Sequence, residues 1–356
     1  MKVLTVVGAR PQFIKAAPVS RALRRAHHEF LLHTGQHYDD AMSDLFFRQL
    51  SIPAPDLNLD VGSGRHGAQT GAMLAGIEEV ALNQRPDWVV VYGDTNSTLA
   101  GALVGAKLHI PVAHVEAGLR SYDRRMPEEV NRVLADHVSD LLLCPTDTAA
   151  ANLAMEGITA AVEVVGDVMF DAFLQNMDVA RRTCAIVAEL GLTPGAFHLM
   201  TVHRPQNVDD ADRLRAILHG VAESGQDVVF PVHPRTRASI TAGGIEAPTN
   251  VMMIEPVGYL EMLALEDGAK AILTDSGGVQ KEAYFAGRAC ITMRDTTEWT
   301  ETVAAGWNVL VGTDSGAIAS AMAGFRPAGD RPAFFGDGHA AERVVEALGS
   351  RPTLNP

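Results

Sequence analysis

Residues 271–283 read AILTDSGGVQKEA. The apolar run 271–273 stops in the small residues Ser276, Gly277 and Gly278, and a helical pattern begins at once. This is a strand, a tight loop and a helix start. Free N–H groups at a helix start, with the helix dipole behind them, favour an anion, and the two glycines let a phosphate approach the backbone. Glu282 lies one turn in, where it could accept both hydroxyls of a ribose. The plainer alternative is an ordinary βα turn. Against it, the same arrangement recurs at other strand ends, each time with polar residues.

Outward from this stretch, short β-rich runs alternate with helical stretches along the whole chain. Strands are expected near 2–8, 29–34, 88–93, 110–116, 139–144 and 162–167, and again near 198–203, 227–233, 251–256, 270–274, 289–293 and 309–312. Runs such as WVVVYG and DVVFPVH are apolar almost without alternation, as strands covered on both faces must be. Strand–helix alternation implies parallel sheets with right-handed crossovers. The expectation is an α/β protein of two doubly wound Rossmann-like domains: residues 1–167 with a C-terminal helix at about 339–356, and residues 168–338. Ligands of such sheets sit beyond the carboxyl ends of the strands. Polar residues stand at seven of those ends, which points to a cleft between facing domains.

At 356 residues the chain exceeds one ordinary domain. No segment approaches the roughly 18 apolar residues of a membrane span, and MKVLTVVGARPQ reads as a first strand rather than a secretion signal. A formal charge of −14 argues against nucleic-acid or anionic-membrane partners. Cys144, Cys184 and Cys290 are far apart in apolar stretches, as expected of reduced thiols in a cytoplasmic protein. Gly62 to Gly67 matches G-x-G-x-x-G, but Leu57-Asn58-Leu59-Asp60 before it is short and polar. A flexible loop is the better reading, so no nicotinamide cofactor is expected. His33 and His37 are four apart with no third ligand, so no metal is expected.

An acidic protein that binds a pyrophosphate must gather its cations locally. Arg10, Lys15, Arg120, Arg124, Arg125, Arg132, His203, Arg204, His233, Arg235 and Arg294 all fall at or just beyond expected strand ends. Asp94 and Glu116 end successive strands and can reach one site. Glu128 and Arg132 in PEEVNR share a helix face, and Pro127 suits the helix start. The alternatives are that Asp94 merely caps a helix from Thr95 onward and that Glu128 with Arg132 is a surface pair. Carboxylates beside a bound pyrophosphate have raised pKa values and can serve as acid or base near neutrality.

Taken together, GARPQFIKAAP (8–18), YGDTNSTLAGAL (92–103), HVEAGLRS (114–121), PEEVNRVLADH (127–137), TVHRPQN (201–207), PVHPRTR (231–237), LTDSGGVQKEA (273–283) and MRDTTEW (293–299) resemble the non-hydrolysing UDP-N-acetylglucosamine 2-epimerases. The resemblance spans nearly the whole chain and implies the two-domain GT-B fold, a UDP-sugar substrate, no cofactor and a homodimer. It places catalytic roles on Asp94, Glu116, Glu128 and His203. Nucleotide or substrate contacts fall on Arg10, Lys15, Arg132, His233, Ser276, Gly277, Gly278, Glu282 and Arg294, and Arg235, among the strand-end cations, is a further substrate-binding candidate. It also implies a substrate-activator site, for which the loop residues Gln36, His37, Arg65 and His66 are candidates. Gln12 stands where the family has an acidic residue, and Trp299-Thr300 where it has Arg-Pro. Both departures resemble the branch acting on UDP-2,3-diacetamido-glucuronate. A GT-B glycosyltransferase, a hydrolysing epimerase and a non-catalytic UDP-sugar sensor are the rival readings.

Overall fold

The computed structural model describes residues 1–36 and 53–351, the Arg10 side chain apart. The chain divides into two compact units, Met1–Leu174 with Ala333–Pro356, and Gln175–Pro332.

In the first unit the order is β1 (Lys2–Val7), α1 (Arg10–Leu23), β2 (His28–His33), β3 (Leu57–Asn58), α2 (His66–Gln84), β4 (Trp88–Tyr92), α3 (Asn96–Lys107), β5 (Val112–Val115), α4 (Pro127–Val138), β6 (Leu141–Cys144), α5 (Asp147–Met155), β7 (Val162–Val164) and α6 (Val168–Thr183), within which the division falls. The sheet runs β3-β2-β1-β4-β5-β6-β7, parallel throughout. The second unit continues with α7 (Ile186–Glu189), β8 (His198–Thr201), α8 (Pro205–Val208), α9 (Ala211–Ser224), β9 (Val228–Pro231), α10 (Pro234–Ala242), β10 (Val251–Ile254), α11 (Tyr259–Gly268), β11 (Ala271–Thr274), α12 (Gly277–Phe285), β12 (Ala289–Thr292), α13 (Thr300–Ala304), β13 (Asn308–Leu310) and α14 (Ser315–Gly324). Its sheet runs β10-β9-β8-β11-β12-β13, also parallel. The last helix, α15 (Ala340–Gly349), returns to the first unit and packs against α1.

The continuous apolar runs behave as read. Val89, Val90, Val91 and Tyr92 are fully buried, as are Leu199, Met200, Ile272 and Leu273. Helices cover both faces of each sheet, which is what makes both side-chain sets apolar. Strand order reverses between β1 and β4 in one sheet, and between β8 and β11 in the other. Such switch points open a crevice at the carboxyl ends of the two strands.

Two readings need correction. β3 was not foreseen: Leu57 and Asn58 are exposed and pair over only two residues with Leu32 and His33, too short a signal for any periodicity. The glycine-rich stretch 62–67 is not wholly loop, because α2 starts at His66 and takes in Gly67, with Arg65 as its N-cap residue.

Candidate active site

Beyond the first switch point, β1 runs into Gly8 and Ala9, whose N–H groups are both accepted by Gln12 Oε1, at 2.8 and 3.1 Å. Gln12 Nε2 donates to the Tyr92 carbonyl (2.9 Å) and to Thr98 Oγ1 (3.0 Å). Gln12 thus ties β1 to β4 from within, buried at 1% exposure. An acidic residue could not make those two donations, so this departure from the family pattern is one of internal packing.

Gly93 follows β4, and a Cβ there would lie 2.9 Å from Lys15 Nζ and 3.1 Å from Glu116 Oε2. The glycine leaves room for a buried ion pair between Lys15, on α1, and Glu116, just past β5. Glu116 itself has a left-handed backbone, φ +69°. A non-glycine residue there costs of order 1 kcal/mol or more, and such strain clusters at functional sites. Asp94 does not cap α3; Thr95 does, accepting from the Thr98 N–H. Asp94 instead pairs with Arg132 on α4.

Helix α4 is inside out. Glu129, Asn131, Arg132 and Asp136 are buried, while Val130 and Leu134 are exposed. Pro127 opens it at the first helical position, as read. Arg132 pairs with Glu129 at 3.0 Å rather than with Glu128, which is exposed at the helix start. Glu129 also accepts from the Ser121 and Tyr122 N–H groups and the Ser121 hydroxyl. Asn131 donates to the Asp94 carbonyl (3.0 Å) and to Asn96 Oδ1 (3.1 Å). Sequence reading missed Glu129 and Asn131. The signal for Glu129 was the spacing of 129, 132 and 136, one polar helical face of a helix whose other face carries valine and leucine.

His114 is also buried. It bonds to Asp136 Oδ1 through Nδ1 and to the Gly93 carbonyl through Nε2, each at 2.7 Å. Asp136 in turn accepts from Arg120 (2.6 Å), which forks onto Glu156 (2.6 and 2.8 Å). Burial pushes the Asp136 carboxyl up, but His114 and Arg120 outweigh it and hold it low. Arg120 is therefore engaged inside the first unit. Arg124 and Arg125 are exposed, Arg125 in a fork with Asp123.

Of the candidate activator residues, Gln36 Oε1 accepts from Ser97 Oγ at 2.8 Å, and His66 Nδ1 accepts from Asn96 Nδ2 at 3.2 Å. Asn96 and Ser97 open α3 next to Asp94. Arg65 is exposed, and His37 lies outside the described residues. His33 packs on the Phe13 ring, with centroids 4.9 Å apart. Among the described residues no group of three His, Cys, Asp or Glu side chains is placed to hold a metal.

In the second unit Ser276 caps α12, its hydroxyl accepting the Val279 N–H at 3.4 Å. The Gly277 and Gly278 N–H groups are the first-turn donors of that helix. A Cβ at Gly277 would lie 2.2 Å from Glu298 Oε1, so any larger residue would displace the Glu298 carboxylate. Glu298 pairs with Arg294 at 2.9 Å, just past β12. Trp299 is 2% exposed; its indole donates to the Gly277 carbonyl (2.9 Å), and its ring lies 4.4 Å from Lys281 Nζ. It fills space behind the turn, so the second family departure is also internal. Glu282 is buried with Tyr259, Glu266 and Lys281 around it. Burial raises both glutamates, so the pair keeps a proton near neutrality.

His203 follows β8, half-exposed, with Nδ1 3.4 Å from buried Asp275. Burial lowers its imidazole, partly offset by Asp275. His233 caps α10, Nδ1 accepting the Arg235 N–H at 3.3 Å. Arg235 forks onto Asp209 on the surface. Asp275 was read only as part of the loop, yet it organises that whole strand-end cluster.

These features define a class: an α/β enzyme of two doubly wound units. One unit carries carboxylate–cation pairs past its strands. The other carries an anion-receptive helix start with histidine and arginine around it. Comparison with known proteins narrows the class. A family model described as UDP-N-acetylglucosamine 2-epimerase matches residues 21–349. The chain is 51% identical to a UDP-N-acetylglucosamine 2-epimerase homolog of Methanococcus maripaludis, over 98% of this chain and 99% of that one. It is 49% identical to the UDP-2,3-diacetamido-2,3-dideoxy-D-glucuronate 2-epimerase of Pseudomonas aeruginosa, with the same coverage. The crystal structure of the Methanocaldococcus jannaschii UDP-GlcNAc 2-epimerase in complex with UDP-GlcNAc and UDP superposes with a TM-score of 0.89 at 45% identity, covering 98% of this chain and 99% of that one. The chain belongs to the UDP-N-acetylglucosamine 2-epimerase family.

Proposed function

We propose that the protein is a non-hydrolysing 2-epimerase that interconverts UDP-N-acetylglucosamine and UDP-N-acetylmannosamine by elimination and re-addition of UDP. The observation that carries this reading is the buried Glu116–Lys15 pair on a strained backbone, one strand from Asp94–Arg132. A plain nucleotide binder has no use for two such carboxylates. The C2–H of a 2-acetamido sugar has no adjacent carbonyl to acidify it. When the C1–O bond breaks and UDP leaves with the electron pair, C1 becomes cationic and C2–H becomes acidic. A base removes that proton, giving a 2-acetamidoglucal. Protonation of C2 on the other face, with UDP returning to C1, completes the exchange.

Asp94, Glu116 and Glu128 are the candidates for moving the C2 proton. His203, with the Ser276 hydroxyl and the Gly277 and Gly278 N–H groups, stabilises departing UDP. Arg10, His233, Arg235, Glu282 and Arg294 bind the nucleotide. We also expect a cytoplasmic homodimer; the exposed Val130 and Leu134 on α4 favour a second copy, and light scattering checks it.

The test is NMR of purified protein with UDP-N-acetylglucosamine in D₂O, without added NAD or metal. Deuterium at C2 of both epimers is expected; full retention of protium sinks the elimination. The Pseudomonas aeruginosa relative makes UDP-2,3-diacetamido-glucuronate the second substrate to test. A kcat/KM preference for it above about 100-fold, roughly 2.7 kcal/mol, would reverse our choice of sugar.

A further inference from the structure

Asp275 lies at the second switch point, fully buried at the end of β11. A carboxylate in such a place must have its lone pairs used, and here they are. The His203 N–H reaches both oxygens, at 3.1 and 3.2 Å. The Arg204 N–H donates at 3.0 Å and Asn207 Nδ2 at 3.1 Å. Asn207 also donates to the Met293 carbonyl at 3.1 Å, one residue before Arg294. One carboxylate thus joins the loops after β8, β11 and β12, which carry His203, Ser276 with the glycines, and Arg294. The His203 ring turns Nδ1 toward the same carboxylate, at 3.4 Å.

We infer that Asp275 is a positioning residue for the reaction proposed above: it holds the His203 ring with Nδ1 inward, which leaves Nε2 as the nitrogen for the departing and returning phosphate oxygen. The inference rests on that functional reading. Its logic is that of any histidine whose second nitrogen is fixed by a carboxylate. The carboxylate favours Nδ1 facing it over the flipped ring, favours the Nδ1–H tautomer and stabilises the imidazolium, here through a 3.4 Å ion-pair contact. The other charged groups acting on the ring are Arg204 and His233, which oppose its protonation; Arg294 faces Asp275 itself. Without Asp275 only opposing charges remain.

The wild-type protein gives the first test. With ring nitrogens labelled, the neutral His203 signal, assigned by its loss in His203→Gln, is expected as the Nδ1–H tautomer. Free histidine prefers Nε2–H, and finding that form here would overturn the inference. The second test is Asp275→Asn. Turnover is expected to fall on the order of 10-fold or more, UDP affinity to stay within about threefold, and the His203 titration midpoint to move down. UDP affinity lost in step with turnover, or an unmoved midpoint, would mean that Asp275 only holds the loop. The tautomer measurement decides even if the variant does not fold. Failure of the epimerase reading shows separately, as wild-type protein that exchanges no C2 proton.

Discussion

Glu116 combines two costs, a left-handed backbone and a buried carboxylate, the second offset by its ion pair with buried Lys15. Nothing in the packing of a βα turn requires them, since glycine would fit that backbone better. Glu116→Gln should lower turnover by about 10²–10⁴, the range of a lost acid–base group, while UDP binding through the second unit persists. His203→Ala should cost on the order of 10² in kcat. If only apparent affinity changes, His203 is a ground-state contact. Single-turnover rates with UDP titrations check both. At this scale the sequence was informative where a residue broke the pattern of its strand, as Glu116 and His203 do. It was uninformative for Gln12 and Trp299. Both were read as departures from the family pattern that resemble the diacetamido-glucuronate branch, and both turn inward to bond backbone carbonyls. Which way a side chain points from a loop depends on partners distant in the chain.

Among elements, the strands were legible because burial on both faces leaves an unbroken apolar run. Helix α4 was legible in position but not in orientation. Its polar face points inward because Asp94, Ser121 and the Gly118 amide present partners for Arg132, Glu129 and Asp136. None of these contacts is local enough to read from the helix alone. Arg120 tests this. Its buried fork joins Asp136 on α4 to Glu156 after α5, so Arg120→Ala should destabilise the protein by roughly 3–5 kcal/mol. Urea unfolding measures it, and an unchanged midpoint would refute the account. A carboxylate at position 12 is a second test. Gln12→Glu keeps the acceptor but loses both donations and sets a carboxylate oxygen against the Tyr92 carbonyl, which keeps the Thr98 hydroxyl as donor, at a cost of about 1–3 kcal/mol. The sugar preference should not change with it.

For the whole molecule, one source of acid sensitivity lies in the second unit. Burial, with Lys270 nearby, lowers the His198 imidazole to about 4. Unfolded, it titrates near 6.5, so between those values the unfolded chain binds the extra proton. Stability is therefore fully present above pH 6.5 and lost as pH falls toward 4, by about 3 kcal/mol. His198→Leu should flatten that part of the profile, measured as urea midpoints against pH relative to wild type; parallel profiles would exclude His198. At this scale we also propose activation by the substrate. Gln36 and His66 bond to Ser97 and Asn96, and Asn131 joins Asn96 to the Asp94 carbonyl. Velocity against UDP-N-acetylglucosamine should be sigmoidal, and hyperbolic curves in both directions would count against an activator site. By itself the sequence determined the α/β class, the parallel sheets, the strand ends that bear polar residues and the family. Those follow from local periodicity, turn chemistry and contiguous motifs. Only the tertiary structure decided which of two adjacent glutamates is buried, that Asp275 reaches across β8 and β11, and that Arg120 is tied up inside. Such choices depend on side chains separated by tens of residues in sequence, whose desolvation must be matched by partners that only the folded chain brings together.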